Sequence, residues 1–202
     1  AMPNSVAAMR GVKAEGGWAV VSTEECDIHA STDVLPYPEA RLWDAEDGRR
    51  MALMVDAVHA QGALAAVELV HNGHAVSNRY SRLPVMGVSD LPVAALEPSQ
   101  ACAMTRRDIS DVRRWHRQAA LRARDIGFDI VYVYAGHDLT LGMHFLSRRY
   151  NRRGDEYGGS LTNRLRLTQE LLEDTREAVG DRCGIAFRFA VDELLGSEGL
   201  SC

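Results

Sequence analysis

The 202-residue sequence has no run of roughly 18 uninterrupted apolar residues, so no membrane partner is expected. It has no basic excess either. The formal net charge is −5, which argues against a nucleic-acid partner, because that calls for a basic patch. Cysteine is sparse: Cys26, Cys102, Cys183 and Cys202 stand far apart, which excludes CxxC metal and redox motifs. Scattered thiols in a chain this large read as the reduced cysteines of a cytoplasmic protein. The opening AMPNSVAAM is too short and too polar for a secretory signal. No GxGxxG follows a strand, and GxxxxGK[ST], HExxH and GxSxG are all missing. A dinucleotide fingerprint, a P-loop, a zinc protease and an α/β-hydrolase are therefore not indicated, and no metal site is expected. Repeats and low-complexity tracts are also lacking.

What is present is an apolar fraction of 46%, enough for a sizeable core in one domain or in part of a larger one. Glycines followed by Ala-Val-Val predict a strand near residues 17–23. Met51, Met54, Val55 and Val58 recur at helical spacing over 45–61, and Gly62 ends that helix. ALAAVELVH predicts a strand at 63–70, followed by a long polar loop. A helix over 108–127 has Asp108 or Ser110 as its cap, apolar Ile109, Val112, Trp115, Ala119 and Ala123, and Gly127 as its stop. FDIVYVY predicts a strand at 128–134, and a loop then runs to residue 159. A helix from about Ser160 to Gly180 carries Leu161, Leu165, Leu167, Leu171 and Leu172 on its buried side. GIAFRFAV gives a last strand near 184–190, and the tail LLGSEGLSC has no partner element.

Strands alternating with helices predict four parallel βα units, adjacent in chain order. Loops after strands are long and those after helices short. That asymmetry points to an α/β barrel, whose site sits on the loops following the strands. Each strand also brings polar groups toward its carboxyl end: Glu24 and Glu25; Glu68 and His71; Tyr134 and His137; Arg188, with Asp192 just beyond. In a barrel these converge on one pocket. Each has a structural alternative. Glu68 can satisfy backbone donors, Arg188 can serve only as its ion-pair partner, His71 can cap a helix, and Tyr134 can be a core ring with a bonded hydroxyl. Arg113, Arg114, Arg117 and Arg122 read as solvated helix faces, and NRRGDE (151–156) as a solvated loop.

GFDIVYVYAGH followed by HFLSRRYNRRGDEYGGSLTNRLR resembles the flavin-dependent Old Yellow Enzyme family, most strongly over Asn151 to Arg166. RGVKAEGGWAVVSTEECDI, ALAAVELVHNGHA and AFRFAVD extend the resemblance over nearly the whole chain. Within the family it is most similar to the trimethylamine, dimethylamine and histamine dehydrogenase branch. That resemblance implies an FMN-binding (β/α)8 TIM barrel of which residues 1–202 hold about half, with the first strand preceding it. The phosphate-binding strands, the [4Fe-4S] cluster and the nucleotide-binding region would follow. It implies an FMN-dependent amine dehydrogenase or N-demethylase that oxidises a C–N bond by hydride transfer to flavin and passes electrons to an acceptor such as a flavoprotein, in a homo-oligomer. Tyr134 and His137 would be catalytic, Glu68 and Arg188 would face the flavin, and Glu25 and His71 would bind substrate. Ene-reductases of the family usually carry histidine where Tyr134 stands. An NAD(P)H-dependent ene-reductase resembling the 2,4-dienoyl-CoA reductases is therefore the alternative, and a fragment inactive on its own is a third reading. Trimethylamine dehydrogenase has a tyrosine at the position of Glu25, where a ring binds alkylammonium by cation–π attraction. A carboxylate would pair with a cation directly or accept its N–H, so a secondary amine or an N-methylated amino acid derivative fits at least as well as trimethylamine.

Overall fold

The computed structural model describes residues 2–33, 40–93 and 99–201. In chain order the main elements are α1 (Pro3–Glu15), β1 (Val20–Asp27), β2 (Ala40–Arg41), α2 (Ala45–His59), β3 (Leu64–Val70), β4 (Met86–Gly87), β5 (Leu91–Pro92), β6 (Gln100–Ala103), α3 (Arg106–Ile126), β7 (Ile130–Ala135), α4 (Leu141–Leu146), α5 (Leu161–Val179) and β8 (Gly184–Phe189). The large sheet runs β2-β1-β3-β7-β8, and every pairing in it is parallel. The four expected strands are thus adjacent in chain order, with the short β2 added beyond β1. The chain is α/β, an arc of (β/α) barrel with its helices on one side.

Alternation along the strands decides which residues meet the helices. Val21, Cys26, Val67, Leu69, Val131 and Val133 join the core with Met54 and Val58 of α2, Val112 of α3 and Leu167 of α5. The opposite set, Ser22, Glu25, Glu68, Tyr134 and Arg188, falls on the other face. In β1 this requires an irregularity. Ser22 pairs with Ala66 and Glu25 with Glu68, so three steps along β1 match two along β3. A bulge of this kind re-aims side chains, and here it brings Glu25 rather than Glu24 to the face of Glu68. β1 begins and ends later than the expected 17–23, so Glu24 and Glu25 lie within the strand.

The short turns after the helices are as expected. Gly127 closes α3 at φ 98°, a left-handed conformation that costs glycine little, and Phe128 enters the core at once. The N-terminus of α3 differs from the expected Asp108 or Ser110 cap. Thr105 is the cap: its hydroxyl accepts the Asp108 N–H at 3.2 Å, and the Asp108 carboxylate accepts the Thr105 N–H at 2.7 Å. Thr105→Ala should lower stability by about 1 kcal/mol in chemical denaturation, with little change in the native circular dichroism.

Several segments in which no element was expected are ordered. α1 has no apolar stripe to announce it and buries Ala7, Arg10 and Ala14. The loop after β3 contains β4 and β5, which flank β6 in a small second sheet. The loop after β7 contains α4, all of it buried. The tail folds on itself, with the Glu193 N–H donating to the Leu200 carbonyl at 2.9 Å. Leu161, expected on the buried side of α5, is exposed at its start. Arg113 is not a solvated charge: it pairs with Asp174 at 2.7 Å and ties α3 to α5. Arg122 donates to the Leu42 carbonyl at 3.2 Å.

The NRRGDE tract is the largest departure from expectation. The Asn151 amide donates to the carbonyls of Phe145 (2.7 Å) and Tyr157 (2.8 Å). The Arg153 guanidinium is buried and donates to the carbonyls of Val88 (3.1 Å) and Met104 (2.7 Å) and, in a fork, to Asp155. Gly158 passes so close that an added Cβ would collide with the Arg153 carbonyl oxygen. The tract staples the two long loops together.

Candidate functional site

On the face of the sheet turned away from the helices, four of the residues singled out in the sequence come together. Glu68 and Arg188 form an ion pair at 2.6 Å across β3, β7 and β8. Tyr134 and Arg188 are register partners, and the guanidinium carbon stands 4.9 Å from the Tyr134 ring centroid. The Tyr134 hydroxyl contacts Nδ1 of His137, just past the end of β7. The Arg188 side chain is 46% exposed, so one side of the cation remains open to a ligand, whereas the Glu68 side chain is 9% exposed.

Burial pushes the Tyr134 phenol up to about 12. Arg188 pulls the other way, and Glu25 and Glu68 add to the rise. The phenol is therefore neutral at ordinary pH, and it can donate its proton to His137 Nδ1 when that ring carries its own proton on Nε2, which leaves the oxygen lone pairs free to accept. Glu25 stands across the ladder from Glu68, and its carboxylate accepts from the Asn72 amide at 3.0 Å. Burial first, and then the Glu68 charge, raise the Glu25 carboxyl above its ordinary range. The Asn72 hydrogen bond, His137 and Arg188 oppose this. An arriving cation would relieve that burden. Glu24 turns elsewhere and pairs with Arg10 of α1 at 2.6 Å.

His71 is not brought to this face. It has the parity of Leu69, on the helix side, where Nδ1 accepts from the Gly73 N–H at 3.1 Å and Nε2 meets the Ser31 hydroxyl at 3.0 Å. Ser31 in turn bonds His29 at 2.9 Å, and the His29 ring stacks on Trp115 at 3.6 Å. Asp192 lies beside His137 in a neighbouring recess of about 230 Å³. Asn72 escaped the sequence reading, although it directly follows a strand end that was flagged. Among the described residues, no group of three or more His, Cys, Asp or Glu could hold a metal ion. None of the helices there is long and apolar enough to cross a membrane. Cys26, Cys102 and Cys183 form no disulfide among the described residues, and Cys202 lies outside them.

The residues present fit a flavin. A recess of about 280 Å³ beside the Glu68–Arg188 pair is also lined by Trp18, Val20 and Ser22. The Ser22 hydroxyl is buried there with no hydrogen-bond partner among the described residues. A carboxylate, a half-open guanidinium and an unsatisfied hydroxyl around a recess also lined by Trp18, Arg10 and Lys13 suit a planar heterocycle edged with donors and acceptors.

Comparison with known proteins leads to the same chemistry. Dimethylamine dehydrogenase of Hyphomicrobium sp. (strain x) is 42% identical over 205 residues, a match that takes in 98% of this chain and 28% of that protein. The structure of histamine dehydrogenase from Rhizobium sp. 4-9 superposes with a TM-score of 0.93 at 42% identity, covering 98% of this chain and 29% of that one. That of 6-hydroxypseudooxynicotine amine oxidase from Pseudomonas geniculata N1 gives 0.91 at 44%, covering 94% and 29%. The chain thus spans under a third of the length of these relatives. The family model for the NADH:flavin oxidoreductases and NADH oxidases matches residues 2–201, and with so much of its length accounted for the chain belongs to the NADH:flavin oxidoreductase / NADH oxidase family.

Proposed function

We propose that this chain is the partial FMN-binding barrel of a longer flavoprotein that oxidises the C–N bond of a small amine. The observation that carries the reading is the Tyr134–His137 pair set against the Glu68–Arg188 pair on one sheet face. The amine-oxidising relatives support it. FMN, when bound, supplies the acceptor for the two electrons and the hydrogen of the α-carbon.

The chain's own residues prepare the amine. Glu25, held by Asn72, accepts an N–H of the substrate ammonium in a charge-assisted hydrogen bond. The phenol oxygen of Tyr134 accepts a second N–H. As that proton moves to the phenol oxygen, the phenol's own proton passes to His137 Nδ1. The amine is left neutral, with the lone pair that C–N oxidation needs. Arg188, anchored by Glu68, presents positive charge to the flavin side. Two N–H contacts favour a secondary amine or N-methylated amino acid derivative over a tertiary amine.

In the full-length flavoprotein without oxygen, a secondary amine should bleach the flavin absorbance and NADPH should not; the reverse pattern would establish the ene-reductase alternative. Glu25→Gln should raise KM for a charged amine roughly 10-fold, as loss of a charge-assisted hydrogen bond does, and leave FMN content unchanged. Unaltered amine turnover in that variant would make Glu25 structural.

A further inference from the structure

His137 and the residue after it, Asp138, are consecutive non-glycine residues in the left-handed region, with φ 59° and 58°. Side chains enter that conformation only when surrounding contacts hold them there. The His137 side chain is exposed, so packing does not decide where its ring lies. Apart from its contact with Tyr134, the ring is placed by the turn.

A long backbone hydrogen bond from the Leu139 N–H to the Gly136 carbonyl (3.4 Å) spans the turn, and the side-chain contacts from outside it act on Asp138. Its carboxylate accepts the Tyr150 hydroxyl at 2.7 Å, and Arg149 stands 3.9 Å from the same oxygen. Its carbonyl accepts Nε2–H of His144 at 3.2 Å. Both donors are themselves fixed. His144 is fully buried on α4, packed against His74 at a ring distance of 3.9 Å. The Tyr150 ring stands edge-on to His74 (4.7 Å) and His144 (5.4 Å), with the Arg149 guanidinium 4.9 Å from its centroid. A rigid aromatic block on one side of the loop therefore grips Asp138 from both its side chain and its backbone.

We infer that Tyr150 and Asp138 are positioning residues for the Tyr134–His137 pair: the Tyr150–Asp138 hydrogen bond, with the His144 contact, keeps residues 137–138 left-handed and so holds His137 Nδ1 against the Tyr134 hydroxyl. The positioning stands on the geometry alone; its effect on turnover rests on the amine-oxidising reading.

The test uses ¹⁵N-labelled histidine in the full-length flavoprotein. In the wild type, His137 should be the Nε2–H tautomer with Nδ1 as a hydrogen-bond acceptor. Tyr150→Phe should move both His137 ring ¹⁵N signals toward those of freely exchanging tautomers. It should lower kcat for the amine by on the order of 10-fold and leave KM within about twofold, as misplacement of a reacting group does. Asp138→Ala should behave in the same way. Asp138→Asn keeps an acceptor for Tyr150 and a residue that tolerates left-handed φ, and should restore both readouts. Unchanged His137 signals in Tyr150→Phe and Asp138→Ala would overturn the inference, as would equal loss in Asp138→Asn and Asp138→Ala. If Tyr150→Phe does not fold, the two Asp138 variants decide. If the wild type oxidises no amine, the functional reading fails while the NMR comparison still judges the clamp.

Discussion

Arg153→Met is expected to destabilise the fold by about 3–5 kcal/mol, the range for removing one partner of a buried ion pair. The Arg153 side chain is 9% exposed, and its guanidinium serves three acceptors at once. Without it, the carbonyls of Val88 and Met104, both in buried residues, lose their donor. Asp155, whose carboxyl the Arg153 fork holds below its ordinary range, loses its cation. Each orphaned acceptor adds its own desolvation cost. Methionine fills the space of the stem over the Phe145 ring but can donate to nothing. Arg152, next in sequence and exposed, is the control, and Arg152→Met should change stability by no more than about 0.5 kcal/mol. Urea titrations that place the two variants together would show that the NRRGDE tract does not staple the loops.

Acid should destabilise the fold well before its carboxylates titrate. Burial lowers five histidines, His29 and His74 among them, and the other three carry the largest shifts. Burial lowers His71 to about 3, His116 to about 4 and His144 to about 3, and a neighbouring histidine adds to the effect at His71 and His144. Each is depressed in the folded state below its unfolded value near 6.5. The unfolded chain therefore binds more protons than the folded one between about pH 6.5 and 4, and stability rises with pH across that window. The stabilisation is fully present above pH 6.5 and is lost as pH falls. The slope is about 1.4 kcal/mol per pH unit for each histidine, or roughly 4 kcal/mol per unit for the three. Glu25, raised by burial, works in the opposite sense but is a single group. Unfolding free energies at pH 7, 6 and 5 give the slope. His116→Asn, which can still donate toward Thr175 but cannot charge, should remove about a third of it. A flat profile from pH 6.5 to 4.5 would contradict this account.

The parts of the fold legible in the sequence are those set by local pattern. Strand β3, strand β7, α2 and α5 announce themselves by apolar period and by a glycine near the helix end. α1 does not, because small residues and one buried arginine form its inner face and its helicity depends on packing against α2 and β1. The roles of Arg153, Asn151 and Arg113 were hidden for a related reason. A charged or amide side chain reads as solvated until its acceptor is known, and theirs are backbone carbonyls or carboxylates roughly 50 residues or more away, or reached by a folded-back loop. Glu68, Tyr134 and Arg188 were legible together because parallel strands in register put equivalent positions on one face. His71 shows the limit of that reasoning: it ends a flagged strand, but one step of pleat turns it to the helices.

The extra residue in β1 has a further consequence for how this site can change over evolutionary time. Ser22 and Glu25 each keep a partner on β3, and the slack lies in Thr23 and Glu24 between them. Loss of either slack residue would straighten the ladder and still leave Glu25 opposite Glu68. A slip of one residue without any loss would instead exchange the glutamates, presenting Glu24 to the ligand face and swinging Glu25 toward Arg10. The reading frame of the pleat, and not only the choice of side chain, decides which carboxylate the site displays. Relatives whose chains differ by one residue between these two positions should therefore be aligned by strand partner, because counting residues would pair the wrong glutamate.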